Sequence, residues 1–216
     1  MVATFLLEAS MAIYTIVRYK LTLTGRLILG LLINLALFQA AEYFVCTEST
    51  AALTASRLGY AAITLLPFLA FYLMSVLTRT VSKKIILATF AATLALVAYF
   101  LTAPGAFNGY QCTGNYVIFQ IGQSQFYIYS IFYFGLIAAS LWKGVRFLGD
   151  KSGAKSRQPV QWLIAGYLIF VVPVAVLVVV HPDTRAAVPS ILCGFAIGMA
   201  VVLAARIAPL TLKKRS

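Results

Sequence analysis

Apolar residues run in long unbroken blocks along this chain, and polar residues fall mainly in the short gaps between them. Seven blocks stand out, over residues 2–17, 27–46, 58–78, 85–103, 124–146, 160–181 and 186–208. About 20 apolar residues make a helix long enough to cross the hydrocarbon core of a bilayer. In lipid a chain must satisfy its backbone internally, so blocks of this length predict helices. The pattern therefore predicts an all-α integral membrane protein built as a seven-helix transmembrane bundle. Residues 1–216 form a single transmembrane domain in this reading, with little chain left over for a soluble one. The first block starts at once, lacks a basic leader, contains Glu8 and ends in Arg18 and Lys20. Those features predict a retained span, not a cleaved signal peptide.

Composition agrees with the pattern. The chain is 62% hydrophobic and 10% charged, with a mean hydropathy of +0.95, whereas a soluble domain carries roughly 25% charged residues. The net charge of +12 would suit a nucleic-acid partner only if the basic residues formed a patch or stripe. Instead they sit in short clusters between apolar blocks, so no nucleic acid is expected and the lipid bilayer is the main partner.

The clusters set an orientation. Arg18, Lys20 and Arg26 follow the first block, and Arg79, Lys83 and Lys84 follow the third. Lys143, Arg146, Lys151, Lys155 and Arg157 follow the fifth, and Arg206, Lys213, Lys214 and Arg215 close the chain. These are 15 of the 17 basic residues, and every cluster falls on the same side. Only Arg57 and Arg185 lie opposite. The positive-inside rule then places the N-terminus outside and the C-terminus in the cytoplasm of a multi-pass protein in the plasma (cell inner) membrane. Glu8, Glu42, Glu48 and Asp183 lie toward the outer half, and Asp150 alone falls inside.

The longest outer connection, 104–123, begins with turn-forming residues and continues into the β-prone run Tyr116-Val117-Ile118-Phe119. It predicts a small hairpin lid over the outer face. Cys46, at the outer end of the second span, and Cys112, in this loop, are placed to form a disulfide tying lid to bundle, provided their geometry allows it. Cys193, within the seventh span, reads as a small packing residue. The inner loop from Gly149 to Lys155 reads as a solvated linker facing anionic lipid heads.

Ionisable groups inside a membrane are expensive, which makes each one a candidate for function. Glu42 is the first. Gln39 and Cys46 share its helix face, and Asn34 falls on roughly the same side, deeper down. The stripe is either a ligand site or polar glue between helices. Glu8 lies at a similar depth on the first span. Tyr60, Thr64, Tyr129, Tyr133 and Ser190 gather at that level from the third, fifth and seventh spans. Together these residues predict a polar, aromatic-lined pocket open to the outside. Part of the tyrosine content belongs equally well to an interfacial belt. Pro67 and Pro173 fall near the middle of their spans, and Gly194 and Gly198 suggest close helix contact.

Other chemistries lack their residues. A single histidine, His181, argues against a metal site. No lysine lies deep inside a predicted span, Lys143 standing only at the inner end of the fifth, so a retinal-type Schiff base has no anchor. No Gly-x-Ser-x-Gly or phosphate-binding Gly-x-x-x-x-Gly-Lys run occurs. No catalytic residue, metal or cofactor is assigned, and the reading leans away from an enzyme.

The run Ser56-Arg57-Leu58-Gly59-Tyr60 leading to Thr64-Leu65-Leu66-Pro67 resembles the seven-span N-terminal sensor regions of bacterial histidine kinases and their small stand-alone relatives. Residues Gln39 to Cys46 and Pro189 to Ala196 fit the same resemblance. It implies a prokaryotic plasma-membrane protein that detects something at its outer face. The departure is that no kinase or other output domain follows the seventh span, so a signal would pass to a separate cytoplasmic or membrane partner. The expectation is a sensor or ligand-binding protein with an outward-facing pocket near Glu42 for a small-molecule or lipid ligand. The alternatives are a small transporter using Glu42 and Glu8, an intramembrane lipid-modifying enzyme, and a structural accessory subunit.

Overall fold

The computed structural model describes residues 1–47, 50–113, 116–150, 157–181 and 187–215. Glu48, Asp183 and Arg185, and most of the inner loop with Lys151 and Lys155, lie outside the described residues.

The described chain is all-α apart from one small hairpin. Its helices are α1 (Val2–Arg18), α2 (Leu23–Thr47), α3 (Ala52–Leu77), α4 (Lys83–Thr102), α5 (Gln123–Gly149), α6 (Gln158–Val180) and α7 (Val188–Val202). The last continues through a π-helical turn, Leu203–Ile207, into a final turn, Ala208–Thr211. Six helices are long and apolar enough to cross a membrane, α7 being counted through Thr211. The remaining one, α1, has 17 residues. At 1.5 Å per residue it reaches roughly 26 Å, a little short of the hydrocarbon thickness.

Each predicted block is helical, but α2 and α3 begin earlier than hydropathy suggests, at Leu23 and Ala52. Hydropathy marks where apolar side chains start. The helix itself starts where the backbone ladder can, and Arg26 and Arg57 sit comfortably inside it. Proline at the first turn suits α6 and α7, where its missing N–H has no intrahelical partner to lose; Pro159 and Pro189 occupy those positions. Helix α3 runs unbroken past Pro67, and α6 past Pro173.

Helix α3 forms the centre, buried along most of its length, and packs against α2, α4, α5 and α6. Helix α1 lies on α2 and α7, and α6 on α7. Helix α4 is peripheral and buries only Thr93 and Phe100. Large apolar side chains such as Leu87, Ile131 and Val179 are exposed around the perimeter. Of the two glycines on α7, only Gly198 makes a close helix contact, against Ile169 of α6; Gly194 faces open space. The predicted small-xxx-small pair is thus a single close approach.

The bundle has two distinct ends. At the basic end, the C-terminal tail pairs with the α1–α2 connection: Lys20 N donates to Lys213 O at 2.9 Å and Arg215 N to Arg18 O at 2.9 Å. Lys143 lies within α5 near this end, not in a connection, which corrects its assignment to the cluster after the fifth block. Its Nζ donates to Ser75 Oγ at 3.2 Å, Thr80 O at 3.1 Å and Thr80 Oγ1 at 3.3 Å.

At the opposite end, strands β1 (Gly109–Cys112) and β2 (Val117–Gln120) form an antiparallel hairpin with Cys112 opposite Val117. Gly105, at φ +82°, turns the chain out of α4 in a conformation that favours glycine. Arg57 also has its work at this end. Its guanidinium donates to the carbonyls of Leu101 at 3.0 Å and Ala103 at 3.5 Å, placing positive charge on the carbonyl end of α4.

Candidate functional site

The site is built from α1 and α2 with a cover from the hairpin. On α2, Phe38, Gln39, Glu42 and Val45 recur at helical spacing and all are buried. Phe38 packs toward Gly59 of α3 and Phe119 of the hairpin, while Gln39 meets α1, where Glu8 and Ala12 are buried in turn. Thr4 Oγ1 donates to Gln39 Oε1 at 2.8 Å across the two helices, fixing the register that brings the carboxyl groups together. Glu8 is 0% and Glu42 2% exposed, and the charge of Glu42 bears on Glu8.

Both oxygens of Glu8 and Oε1 of Glu42 are buried with no protein hydrogen-bond partner among the described residues. The Ser190 hydroxyl, the Val117 amide and the Met1 amine bear on Glu42 from the covering side. Buried polar groups are nearly always paired, and an unpaired one costs stability. Two neighbouring carboxyl groups with three unpartnered oxygens are therefore an exception that stability alone does not explain.

The cover is held in three ways. Cys46 is disulfide-bonded to Cys112, joining α2, one turn beyond Glu42, to β1. Ser190 Oγ of α7 donates to Val117 O of β2. Val117 and Phe119 are buried beneath the hairpin, while β1 is mostly exposed. The predicted lid and disulfide are thus both present, and the lid is shut: the pocket expected to open outward is closed over its carboxyl groups.

Beside the acid pair lies an aromatic cluster. Tyr60 is 1% exposed, with ring centroids 4.9 Å from Phe100, 5.1 Å from Phe107, 5.2 Å from Phe119 and 5.7 Å from Tyr129. Tyr133 follows at 5.7 Å from Tyr129, and Thr64 Oγ1 donates to Tyr60 O at 2.6 Å. Tyr60, Thr64, Tyr129 and Tyr133 therefore gather as predicted, but they form a packed cluster adjoining the acids, not the wall of an open pocket. Cys193 is buried beside the tyrosines, facing a small space that Tyr129 and Tyr133 also line. Below it lies an apolar cavity of about 40 Å³, lined by residues including Leu31, Leu66, Tyr133, Tyr167 and Met199.

One predicted companion lies elsewhere. Asn34 bonds Gly30 O at 2.7 Å and lines a lateral groove of about 450 Å³ between α2 and α3 with Leu37, Ala40 and Phe44. It is not on the Glu42 face, because 100° per residue carries position 34 away from position 42. Tyr127 is 56% exposed and points outward. Sequence reasoning missed Thr4 and Val117. Thr4 was findable, standing one helical turn before Glu8; Val117 contributes backbone atoms, which no residue type announces.

Comparison with family models, curated proteins and solved structures finds no match to this chain.

Proposed function

We propose that this is a seven-span plasma-membrane protein, N-terminus outside and C-terminus in the cytoplasm, that senses or binds at its outer face through the Glu8–Glu42 pair. The observation that carries the reading is the pair itself: two buried carboxyl groups with three unpartnered oxygens, closed beneath a covalently tied hairpin. The placement in the membrane is supported by six long apolar helices and an apolar perimeter. The orientation is supported by the gathering of basic residues at the end opposite the hairpin.

Two uncompensated anions in so dry a place would cost several kcal/mol each. The closed state is tolerable when the pair holds protons or a cation. Its ligand is therefore a proton or a small group that donates hydrogen bonds or positive charge to carboxylates. A change in occupancy alters the α1–α2 contact directly, and α1 runs to the basic end, where its connection to α2 is bonded to the C-terminal tail. A partner reading that tail would receive the signal. Binding is favoured over passage because the cavity beneath the pair is lined by leucines and other apolar groups, which offer no polar route onward.

The test uses the full chain in lipid bilayers with a fluorophore at Lys214→Cys. An acid-to-alkaline step should shift its emission in the otherwise native protein and much less in Glu42→Gln. Infrared difference spectra should contain a protonated-carboxyl band that Glu8→Gln and Glu42→Gln each diminish. Equal fluorescence responses together with an unchanged band would remove the reading.

A further inference from the structure

We propose that the hairpin is a redox-latched lid: reduction of Cys46–Cys112 by a dithiol at the outer face frees β1 and β2 to lift from the Glu8–Glu42 pair. The inference rests on the functional reading of that pair and names how access to it is controlled.

Three observations carry it. The first is where the tether ends. Cys46 stands four residues after Glu42 on α2, so the helix that presents the acid also anchors its cover. The second is accessibility. Cys112 is exposed and Cys46 half-buried, on the end of the molecule remote from the basic clusters. A structural disulfide in a protein core is shielded from thiols, whereas an exposed one is open to exchange. The third is that the hairpin's other attachments fall on β2: Val117 and Phe119 are buried, the Phe119 ring lies 5.2 Å from Tyr60 and 6.0 Å from Phe38, and the Ser190 hydroxyl bonds Val117 O, while β1 is mostly exposed. Within the described residues, only the disulfide fixes β1 covalently.

The chemistry balances as an ordinary exchange. A thiolate of the dithiol attacks Cys112 Sγ, the sulfur bond breaks, and Cys46 leaves as a thiolate that takes a proton. The second thiol of the reductant then displaces Cys112, which is protonated in turn. Two electrons and two protons enter the protein, and the reductant departs as a disulfide. Without the tether, the hairpin exchanges between seated and lifted positions, starting from β1, which is mostly exposed. Exchange with a disulfide, which leaves as two thiols, runs the same steps backward and restores the latch.

The experiment uses the full chain in phosphatidylethanolamine–phosphatidylglycerol bilayers, with and without dithiothreitol. Amide exchange over residues 109–120 and carbodiimide labelling of Glu8 and Glu42 are read by mass spectrometry. Reduction should speed both on the order of tenfold or more, as expected on losing a tether that closes so long a loop. Exchange in the buried stretch of α3 should not change. The double variant Cys46→Ser, Cys112→Ser should behave as the reduced protein without reductant.

Unchanged exchange over the hairpin overturns the latch. So does faster hairpin exchange with no gain in carboxyl labelling, since the lid would then not guard the acids. Faster exchange throughout α3 also overturns it, making the disulfide a staple of the whole bundle. The fluorescence and infrared tests on Glu42→Gln are made with the disulfide intact. A failure there withdraws the role of the pair, while a failure here withdraws only the latch.

Discussion

Lys143, near the basic end, satisfies its ammonium inside the protein, with three donors directed to Ser75 and Thr80 and its charge 4.9 Å from the centre of the Phe71 ring. Arg206 likewise stacks 4.9 Å over Trp162. At the hairpin end the arrangement is reversed: Glu8 and Glu42 are more deeply buried than Lys143, yet three of their oxygens lack partners. The cations at the basic end are paired although solvent reaches them, whereas the buried carboxyl groups at the hairpin end are left short of partners among the described residues. That contrast locates the tension in the molecule, and local departures from full pairing are where functional sites are expected.

The largest effect that would sharpen the contrast is at Tyr60, whose ring touches four other aromatic rings beneath the hairpin. Tyr60→Ala should cost about 3–5 kcal/mol, as truncation of a large buried aromatic does, measured by unfolding in bicelles. A loss below 1 kcal/mol would mean that the hairpin end is loosely packed and the contrast unfounded. Removing the disulfide with Cys46→Ser and Cys112→Ser should lower the local stability of the hairpin by about 2–4 kcal/mol, read from amide exchange over its described strands and equal in the chemically reduced protein, with the exchange of α3 unchanged.

Gly59 faces Ala41 so closely that an added Cβ would lie 3.0 Å from that side chain. Gly59→Leu should destabilise by about 1–3 kcal/mol through overpacking of α2 on α3. Wild-type stability in that variant would show that the two helices slide freely. At the other end, Lys143→Met should cost about 1 kcal/mol, the usual net worth of lost hydrogen bonds where solvent can re-enter. A much larger loss would mark Lys143 as a second buried centre and weaken the contrast.

The smallest effect has the opposite sign. Glu8→Gln removes a group with no partner to lose, so stability should stay constant or rise by about 1 kcal/mol, while the acid-induced infrared band diminishes. A loss of 3 kcal/mol or more would identify Glu8 as a structural residue with a counter-charge that the closed pair conceals.

Much of this was readable beforehand, for identifiable reasons. The hydrophobic blocks and the spacing of arginine and lysine have a one-dimensional logic, and they anticipated the helices and the two ends. Cys46 and Cys112 were candidates because both fell beside the same predicted surface. Asn34 was misplaced because a stripe judged by eye drifts around a helix within two turns. The helix starts at Leu23 and Ala52 were missed because hydropathy does not report hydrogen bonding. Lys143 was assigned to a connection because charge alone suggested it, whereas Ser75 and Thr80 supply it with partners inside the bundle.

From the sequence alone come the helical class, the apolar perimeter and the separation of basic from acidic ends, since each follows from how side chains partition between water and hydrocarbon. Which groups meet is a different matter. That Glu8 faces Glu42, that the lid is shut and that Ser190 reaches Val117 depend on the rotation of each helix about its axis and on long-range register. Those are set by packing and by the Thr4–Gln39 and Cys46–Cys112 links between distant segments, and a hydropathy pattern is indifferent to them.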